Sequence, residues 1–210
     1  MMPVRVRQHV NPLSRRFQVP LRVPDWSRVY GRPGQRFHLD VGCGKGRFLL
    51  EMAAAHPEWN FLGIEIRLPL VEQARRWAGD EGLTNVCFLA GHAGVGLGEL
   101  LAALPEPGLY RVSIQFPDPW FKRKQQKRRV VQTELVSILA AHLQPGGQVF
   151  LQSDVQEVAV EMAARFQADS HYTCLGQGIE NPMGIPTERE RSTLSRGLPV
   201  YRSLWARPLD

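Results

Sequence analysis

Short apolar runs alternate with stretches of helical periodicity along most of the chain. Such alternation is typical of an α/β fold in which helices cross over between parallel strands. The apolar runs predict five strands at about 37–41, 60–66, 86–90, 110–116 and 148–154. The periodic stretches predict helices at about 46–55, 68–79, 93–104, 130–143 and 156–168. We therefore expect a mostly parallel, doubly wound sheet that is covered on both faces. Two later runs, 172–175 and 200–205, would close it with an antiparallel C-terminal strand.

The first 35 residues differ from the rest of the chain. They hold five prolines and show no sustained period, so we expect an arm or an extended layer there. Seven arginines and a single acid make this segment basic, and Arg36 follows it directly. We predict two parts: a basic N-terminal arm at 1–35 and one folded domain at 36–210, which is long enough to bury its own core.

The distribution of charge along the chain indicates a class of binding partner. The net charge is +6, and the run Lys122–Arg129 alone carries six cations and no acid, so the remainder of the chain is neutral. Two local concentrations of positive charge on a small protein favour a polyanionic partner, although a solvated charged surface is the alternative.

Other classes are disfavoured. No apolar run approaches the roughly 20 residues that a membrane span needs, and no apolar signal core follows Arg15 and Arg16, so we expect a cytoplasmic protein. Cys43, Cys87 and Cys174 are few and widely spaced. This spacing argues against a disulfide framework and a zinc site, and we predict no metal.

A glycine loop follows the first predicted strand and opens the first helix. Gly42, Gly44 and Gly46 alternate with other residues, which leaves backbone N–H groups accessible to a ligand. The dinucleotide fingerprint requires glycine at its sixth place, where this chain has Arg47, whereas glycine at the fifth place suits S-adenosylmethionine (SAM) methyltransferases. An ordinary tight turn is the alternative interpretation.

Two acids follow neighbouring strands beside this loop. Asp40 ends the first strand, and Glu65 ends the second, 19 residues beyond Gly46. A carboxylate at the second position suits hydrogen bonds to ribose hydroxyls. Either acid could instead cap a helix N-terminus.

A turn made of Pro117, Asp118, Pro119 and Trp120 follows the fourth strand and runs directly into the cationic run Lys122–Arg129. A reaction centre joined to a cation cluster without a linker fits a phosphate-rich acceptor. Trp120 offers a stacking face for a base, or it packs against the core.

Together these motifs resemble the bacterial tRNA (guanine-N7)-methyltransferases. The resemblance covers about 37–205. Besides the motifs above, it rests on Lys127–Arg129 within the basic run, on Ser153–Asp154 and on Thr187–Glu190. It implies a Rossmann-like SAM-dependent methyltransferase fold and methyl transfer from SAM to N7 of a guanine in the tRNA variable loop, at position 46 in tRNA numbering.

Residue roles follow from the same resemblance. The resemblance implies that Asp118 is catalytic and also contacts SAM. The other expected SAM contacts are Asp40, Gly42, Gly44, Gly46, Glu65, His92 and Ala93, although the family usually has Asn or Asp where this chain has His92. The expected guanine or tRNA contacts are Lys122, Asp154, Thr187, Glu188, Arg189 and Glu190.

Alternatives stay open. Thr187 and Glu190 also form the pattern of a helix capping box, and Asp154 could cap the helix that begins near Gln156. At the level of function, a non-catalytic RNA-binding protein on the same fold is the second hypothesis. A third, an NAD-dependent oxidoreductase, is disfavoured by Arg47. We expect tRNA as the partner, no obligatory protein partner, and a monomer or homodimer.

Overall fold

The computed structural model describes residues 10–209. Seven strands form one sheet in the order β3-β2-β1-β4-β5-β7-β6. The strands are β1 (Arg36–Val41), β2 (Trp59–Glu65), β3 (Val86–Ala90), β4 (Leu109–Gln115), β5 (Leu143–Ser153), β6 (Thr173–Gln177) and β7 (Tyr201–Ala206).

Strands β1 to β5 pair in parallel, whereas β7 lies antiparallel between β5 and β6. The predicted doubly wound sheet with an antiparallel C-terminal strand is therefore confirmed. Because the first five strands are parallel, their carboxyl ends share one edge of the sheet, where ligands of open α/β sheets bind.

Seven α-helices accompany the strands in the described part of the chain. They are α1 (Trp26–Val29), α2 (Arg47–Ala55), α3 (Leu68–Asp80), α4 (Leu97–Ala102), α5 (Thr133–His142), α6 (Gln156–Gln167) and α7 (Glu188–Leu194). Two 3₁₀ turns, Arg15–Phe17 and Arg123–Arg128, complete the set. Helix α4 begins four residues later than predicted, because Gly96 precedes it in the left-handed conformation.

The two faces of the sheet carry separate cores. Side chains of α1, α4, α5 and α6 pack with Leu39, Val112 and Leu151 on one face. On the other face, α2 and α3 pack with Phe61 and Phe150. Burial on both faces explains why the strands appear in the sequence as apolar runs.

Part of the predicted arm belongs to the core. Leu21, Trp26 and Tyr30 are buried, and the Tyr30 hydroxyl donates to the carbonyl of Phe61 at 3.0 Å. Arg5 and Arg7 of the predicted arm lie outside the described residues. The boundary at residue 35 stays a prediction, but the chain packs on the domain from Leu21 onward.

None of the helices between residues 10 and 209 combines the length and the apolar character that crossing a bilayer requires. Within the same range, no three His, Cys, Asp or Glu side chains are grouped so that they could hold a metal ion.

Candidate active site

The glycine loop lies against the end of β2. Gly42 and Cys43 both donate their N–H groups to the carbonyl of Ile64, and the Gly44 N–H donates to Glu65 Oε2 at 3.0 Å. Gly46 has φ 75°, and a Cβ there would lie 2.6 Å from the Phe88 ring. Both the backbone conformation and the packing therefore require glycine at the start of α2.

Glu65 receives donors from two directions. Besides the Gly44 N–H, its carboxylate accepts the backbone N–H and the guanidinium Nε of Arg67, at 3.0 and 2.8 Å. Burial alone would lower the pKa of Arg67, but the hydrogen bond and the charge of Glu65, together with the charge of Asp118, raise it above its usual value. The positive charge of Arg67 therefore persists at the edge of the sheet.

Asp40 is buried, and its hydrogen-bond donors among residues 10–209 are neutral side chains. The Ser113 hydroxyl donates to Oδ1 at 2.5 Å, and Gln115 Nε2 donates to the same oxygen at 3.3 Å. Burial raises the pKa of Asp40 to about 6; these two hydrogen bonds oppose the shift, and the charge of Glu65 adds to it. Its partners are side chains of β4, so the alternative that Asp40 caps a helix is wrong.

One cavity at this edge gathers five of the predicted cofactor residues. Its wall includes Gly42, Glu65, His92, Ala93 and Asp118. The lining also includes Val10 and Pro12 of the N-terminal segment, Trp120 of the turn after β4 and Arg128 of the basic run. Asp40, Gly44 and Gly46 do not line the cavity, although their chain neighbours Val41 and Gly42 do.

His92 contributes a neutral imidazole to that wall. Burial lowers its pKa, and its buried Nδ1 has no hydrogen-bond partner among residues 10–209. His92 therefore lines the cavity while one of its ring nitrogens is buried without a hydrogen-bond partner among the described residues.

The turn after β4 has an unusual backbone. Phe116 has φ 50° and Trp120 has φ 43°, and these are the non-glycine residues with positive φ in the described part of the chain. Residues before proline normally adopt an extended conformation, so Phe116 departs from its preference. Each such position costs about 1–3 kcal/mol and is found mainly at functional sites. No pattern in the sequence indicates this backbone geometry.

The basic run is not uniform. Arg129 is only 5% exposed; it bonds the carbonyl of Pro119 at 2.8 Å and forms ion pairs with Glu157 and Glu161 of α6. The Arg128 guanidinium lies over the Trp120 ring at 4.9 Å. Arg129 therefore anchors the turn, while Lys122, Arg123, Lys124 and Lys127 are exposed.

The predicted substrate residues of α7 lie beside the ends of β5 and α2. The ion pair of Arg189 with Asp154 has a distance of 2.5 Å, and Glu188 pairs with Arg47 at 3.2 Å. Asp154 therefore pairs across to α7, and the structure shows no cap on α6 from it. The predicted capping box is present, because Thr187 accepts the Glu190 N–H and the Glu190 carboxylate accepts the Thr187 N–H.

None of Lys122, Asp154 and Thr187–Glu190 lines the cavity. Glu190 is 2% exposed and pairs with Arg202 of β7 at 2.7 Å. Sequence reasoning missed Arg67, Gln115, Gln152 and Arg202. For Gln115 the available signal was a polar residue at every second place of β4, at Arg111, Ser113 and Gln115.

The order of the strands, the glycine loop after β1 and the acid at the end of β2 define the Rossmann-like SAM-dependent methyltransferase class. Among solved structures, the 16S rRNA methyltransferase KamB matches with a TM-score of 0.63 and 19% identity, covering 89% of this chain and 95% of that one. A 16S rRNA (adenine(1408)-N(1))-methyltransferase from Catenulisporales acidiphilia matches with a TM-score of 0.58 and 18% identity, over 89% and 91%.

Sequence comparison is more specific. Residues 34–203 match a family model described as "Putative methyltransferase". The tRNA (guanine-N(7)-)-methyltransferase of Synechococcus elongatus is 54% identical over 213 residues, covering 100% of both chains. That of Microcystis aeruginosa is 53% identical over 208 residues, covering 98% of this chain and 99% of the other. The chain therefore belongs to the tRNA (guanine-N7)-methyltransferase family, as the sequence predicted.

Proposed function

We propose that this protein transfers a methyl group from SAM to N7 of the guanine at position 46 in the variable loop of tRNA. The observation that carries the proposal is the shared cavity: Glu65 of the cofactor side and Asp118 of the acceptor side face it together. The cations that follow Asp118 begin only four residues later.

The residues present fit SAM. A Cβ at Gly42 or Gly44 would meet no atom within 4 Å, so the loop borders open space that a ligand can occupy. Glu65 would accept hydrogen bonds from the ribose hydroxyls, and His92 and Ala93 would border the adenine. The sulfonium of the bound cofactor supplies the activated methyl group. Asp40 would support this site from behind, through Ser113 and Gln115.

The acceptor atom needs no strong base. N7 of guanine carries a lone pair exposed in the major groove, so attack requires no prior deprotonation. Alignment with the methyl group and stabilisation of the positive charge that grows on the purine are what accelerate the reaction. The carboxylates of Asp118 and Asp154 suit the second task, with Asp118 as the catalytic residue.

The exposed cations suit the rest of the tRNA. Lys122, Arg123, Lys124 and Lys127 would contact phosphates, which fixes the register of the RNA without reading its sequence. Thr187, Glu188 and Arg189 lie on the same side as Asp154 and would surround the guanine. The buried Glu190 would hold their segment through its bonds to Thr187 and Arg202.

The test is methyl transfer from labelled SAM to unmodified tRNA transcripts. Three matched transcripts carry guanine, 7-deazaguanine or adenine at position 46. We expect label only with guanine, because 7-deazaguanine has a carbon in place of N7. Label on the 7-deaza transcript would contradict the N7 assignment, and label on the adenine transcript would contradict the position.

A transcript that binds without being labelled would instead favour the second candidate, an RNA-binding protein without activity. The presence of Asp40, Glu65 and Asp118 at one edge argues against it. A tRNA substrate also fits a cytoplasmic enzyme that works as a monomer or homodimer, and sedimentation of the purified protein tests the latter.

A further inference from the structure

One face of the central strands is polar where an apolar face is expected. Strands buried on both faces are normally apolar throughout. Here Asp40 and Ser113 lie opposite each other in the β1–β4 register, and Gln115, Gln152 and Arg202 align across β4, β5 and β7. All but Arg202 are at most 9% exposed.

The side chains of this row form an unbroken chain of hydrogen bonds. Gln115 Nε2 donates to Asp40, and Gln115 Oε1 accepts from Gln152 Nε2 at 2.7 Å. Gln152 Nε2 also donates to Glu190 Oε2 at 3.1 Å, and Gln152 Oε1 accepts from Arg202 at 3.2 Å. The chain therefore joins β1, on the cofactor side, to α7, on the substrate side.

The charges at both ends fix the orientation of the two amides. Asp40 and Glu190 can only accept when ionised, and Arg202 can only donate. Gln115 must therefore turn its nitrogen to Asp40 and its oxygen to Gln152. Gln152 must turn its nitrogen to Gln115 and Glu190. Reversing either amide would break bonds at both of its ends.

Stability alone does not explain such a row. Hydrogen-bonded polar groups in a core contribute little net stability compared with apolar side chains of the same shape. The row does specify geometry, because a fully bonded buried network permits one arrangement. Neither glutamine lines the cavity, so any effect on the reaction passes through the carboxylates that they hold.

We propose that Gln115 and Gln152 are positioning residues that hold Asp40 and Glu190 in one fixed relation, so that the cofactor side and the α7 side of the site are set together. This proposal rests on the proposed methyl transfer to tRNA. It concerns how the two halves of that site are held, and neither glutamine touches the reacting atoms.

The first test measures the affinity for S-adenosylhomocysteine by calorimetry on the full chain. Gln115→Met and Gln152→Met preserve size and remove the hydrogen bonds. Each should weaken binding about fivefold, the loss of roughly one hydrogen bond. The double variant should be no weaker than the worse single variant, because both break the same chain. Gln148→Met is the matched control, since Gln148 lies four residues earlier on β5 and makes none of these bonds; its affinity should be unchanged.

The second test uses pH. A donor to the ionised carboxylate lowers its pKa, so loss of the Gln115 bond raises the pKa of Asp40 above about 6. The charged or titratable groups that act on Asp40 are Glu65 of β2 and Cys43 of the loop. Those that share its network are His38, which bonds Ser113, and Glu190 and Arg202 at the far end. The midpoint of binding against pH should move upward in Gln115→Met and Gln152→Met, and stay in place in Gln148→Met.

A merely structural role gives different results. If Gln152→Met lowers the melting temperature but leaves the affinity and the pH midpoint unchanged, the proposal is wrong. Additive losses in the double variant would also contradict it. Failure of the wild-type protein to methylate tRNA would overturn the proposed function instead, and the binding measurements separate the two outcomes.

Discussion

The two halves of the site are held by different kinds of interaction. In the cofactor half, comprising the glycine loop, Asp40 and Glu65, backbone N–H groups and neutral side chains supply most of the donors. In the substrate half, comprising the basic run, Asp154 and α7, ion pairs dominate. Arg191 pairs with Glu51 and Arg47 with Glu188, and all four side chains are about half exposed.

This difference matches what each half would bind. Exposed ion pairs contribute about 0–1 kcal/mol and weaken with salt, so α7 depends mainly on the buried bonds of Glu190. A small cofactor of constant shape suits a rigid backbone cradle. A polyanion suits a half whose contacts are ionic, and the two halves should therefore respond differently to substitution, pH and salt.

The largest effect is expected at Asp118, where the halves meet. Asp118→Asn keeps the shape and removes the charge that would stabilise the cationic purine. We expect kcat to fall roughly 100-fold while the SAM dissociation constant changes little. Single-turnover kinetics and calorimetry measure the two quantities. Asp80→Asn, at the exposed end of α3, is the charge-matched control. Equal losses in rate and affinity would assign Asp118 to the cofactor half alone.

The next effect is confined to the cofactor half. Glu65→Gln removes a charged acceptor, and we expect SAM to bind about 10-fold more weakly. The KM for tRNA should not change when SAM is saturating. Steady-state kinetics with each substrate varied in turn check this. A parallel rise in the KM for tRNA would show that the halves are not separable at Glu65.

Asp40 gives a pH signature that the substrate half lacks. Its folded pKa of about 6 exceeds the ordinary 3.8, so the folded state keeps a proton that the unfolded state has lost. Stability therefore falls as pH rises from about 4 to 6. Asp40→Asn should be more stable than wild type at pH 7 by about 1 kcal/mol. Removing the buried charge stabilises the folded state by more than the weaker hydrogen bond with Gln115 Nε2 destabilises it.

Urea unfolding at about pH 3 and at pH 7 measures this difference. The advantage of Asp40→Asn should disappear at and below about pH 3, under the ordinary pKa of 3.8, where the carboxyl is protonated in both states. An advantage that persists at low pH would mean that packing, and not the buried charge, is responsible.

The smallest effect is expected at single exposed cations. Lys124→Ala should weaken tRNA binding about threefold and reduce the salt slope by less than one unit, because it removes one phosphate contact. SAM binding should be insensitive to salt in both proteins. Fluorescence titration at several salt concentrations measures both. A salt-dependent SAM affinity would contradict the division into two halves.

Sequence reasoning succeeded where one residue type serves one local purpose. Apolar runs located the strands because parallel strands are buried on both faces. Thr187 and Glu190 located the start of α7 because the capping box is a local pattern.

It failed where a residue's role depends on the far side of the fold. In the sequence, Arg129 is indistinguishable from its neighbours in the basic run. In the structure it is buried and forms ion pairs with Glu157 and Glu161, about 30 residues later. Likewise, no local pattern tells that Gln152 would meet Gln115 and Glu190, because those contacts depend on strand order. The site roles carried over by resemblance remain predictions.

The position of β7 also bears on how the molecule is made. β7 lies between β5 and β6, although it is the last strand of the chain. A ribosome releases β1 to β5 first, but the cores on both faces also include later residues, Trp205 on one face and Met183 on the other. Until Arg202 emerges, β5 presents an open edge and Glu190 lacks its cation. The part of the site that would receive tRNA is therefore completed last, once the whole chain is available.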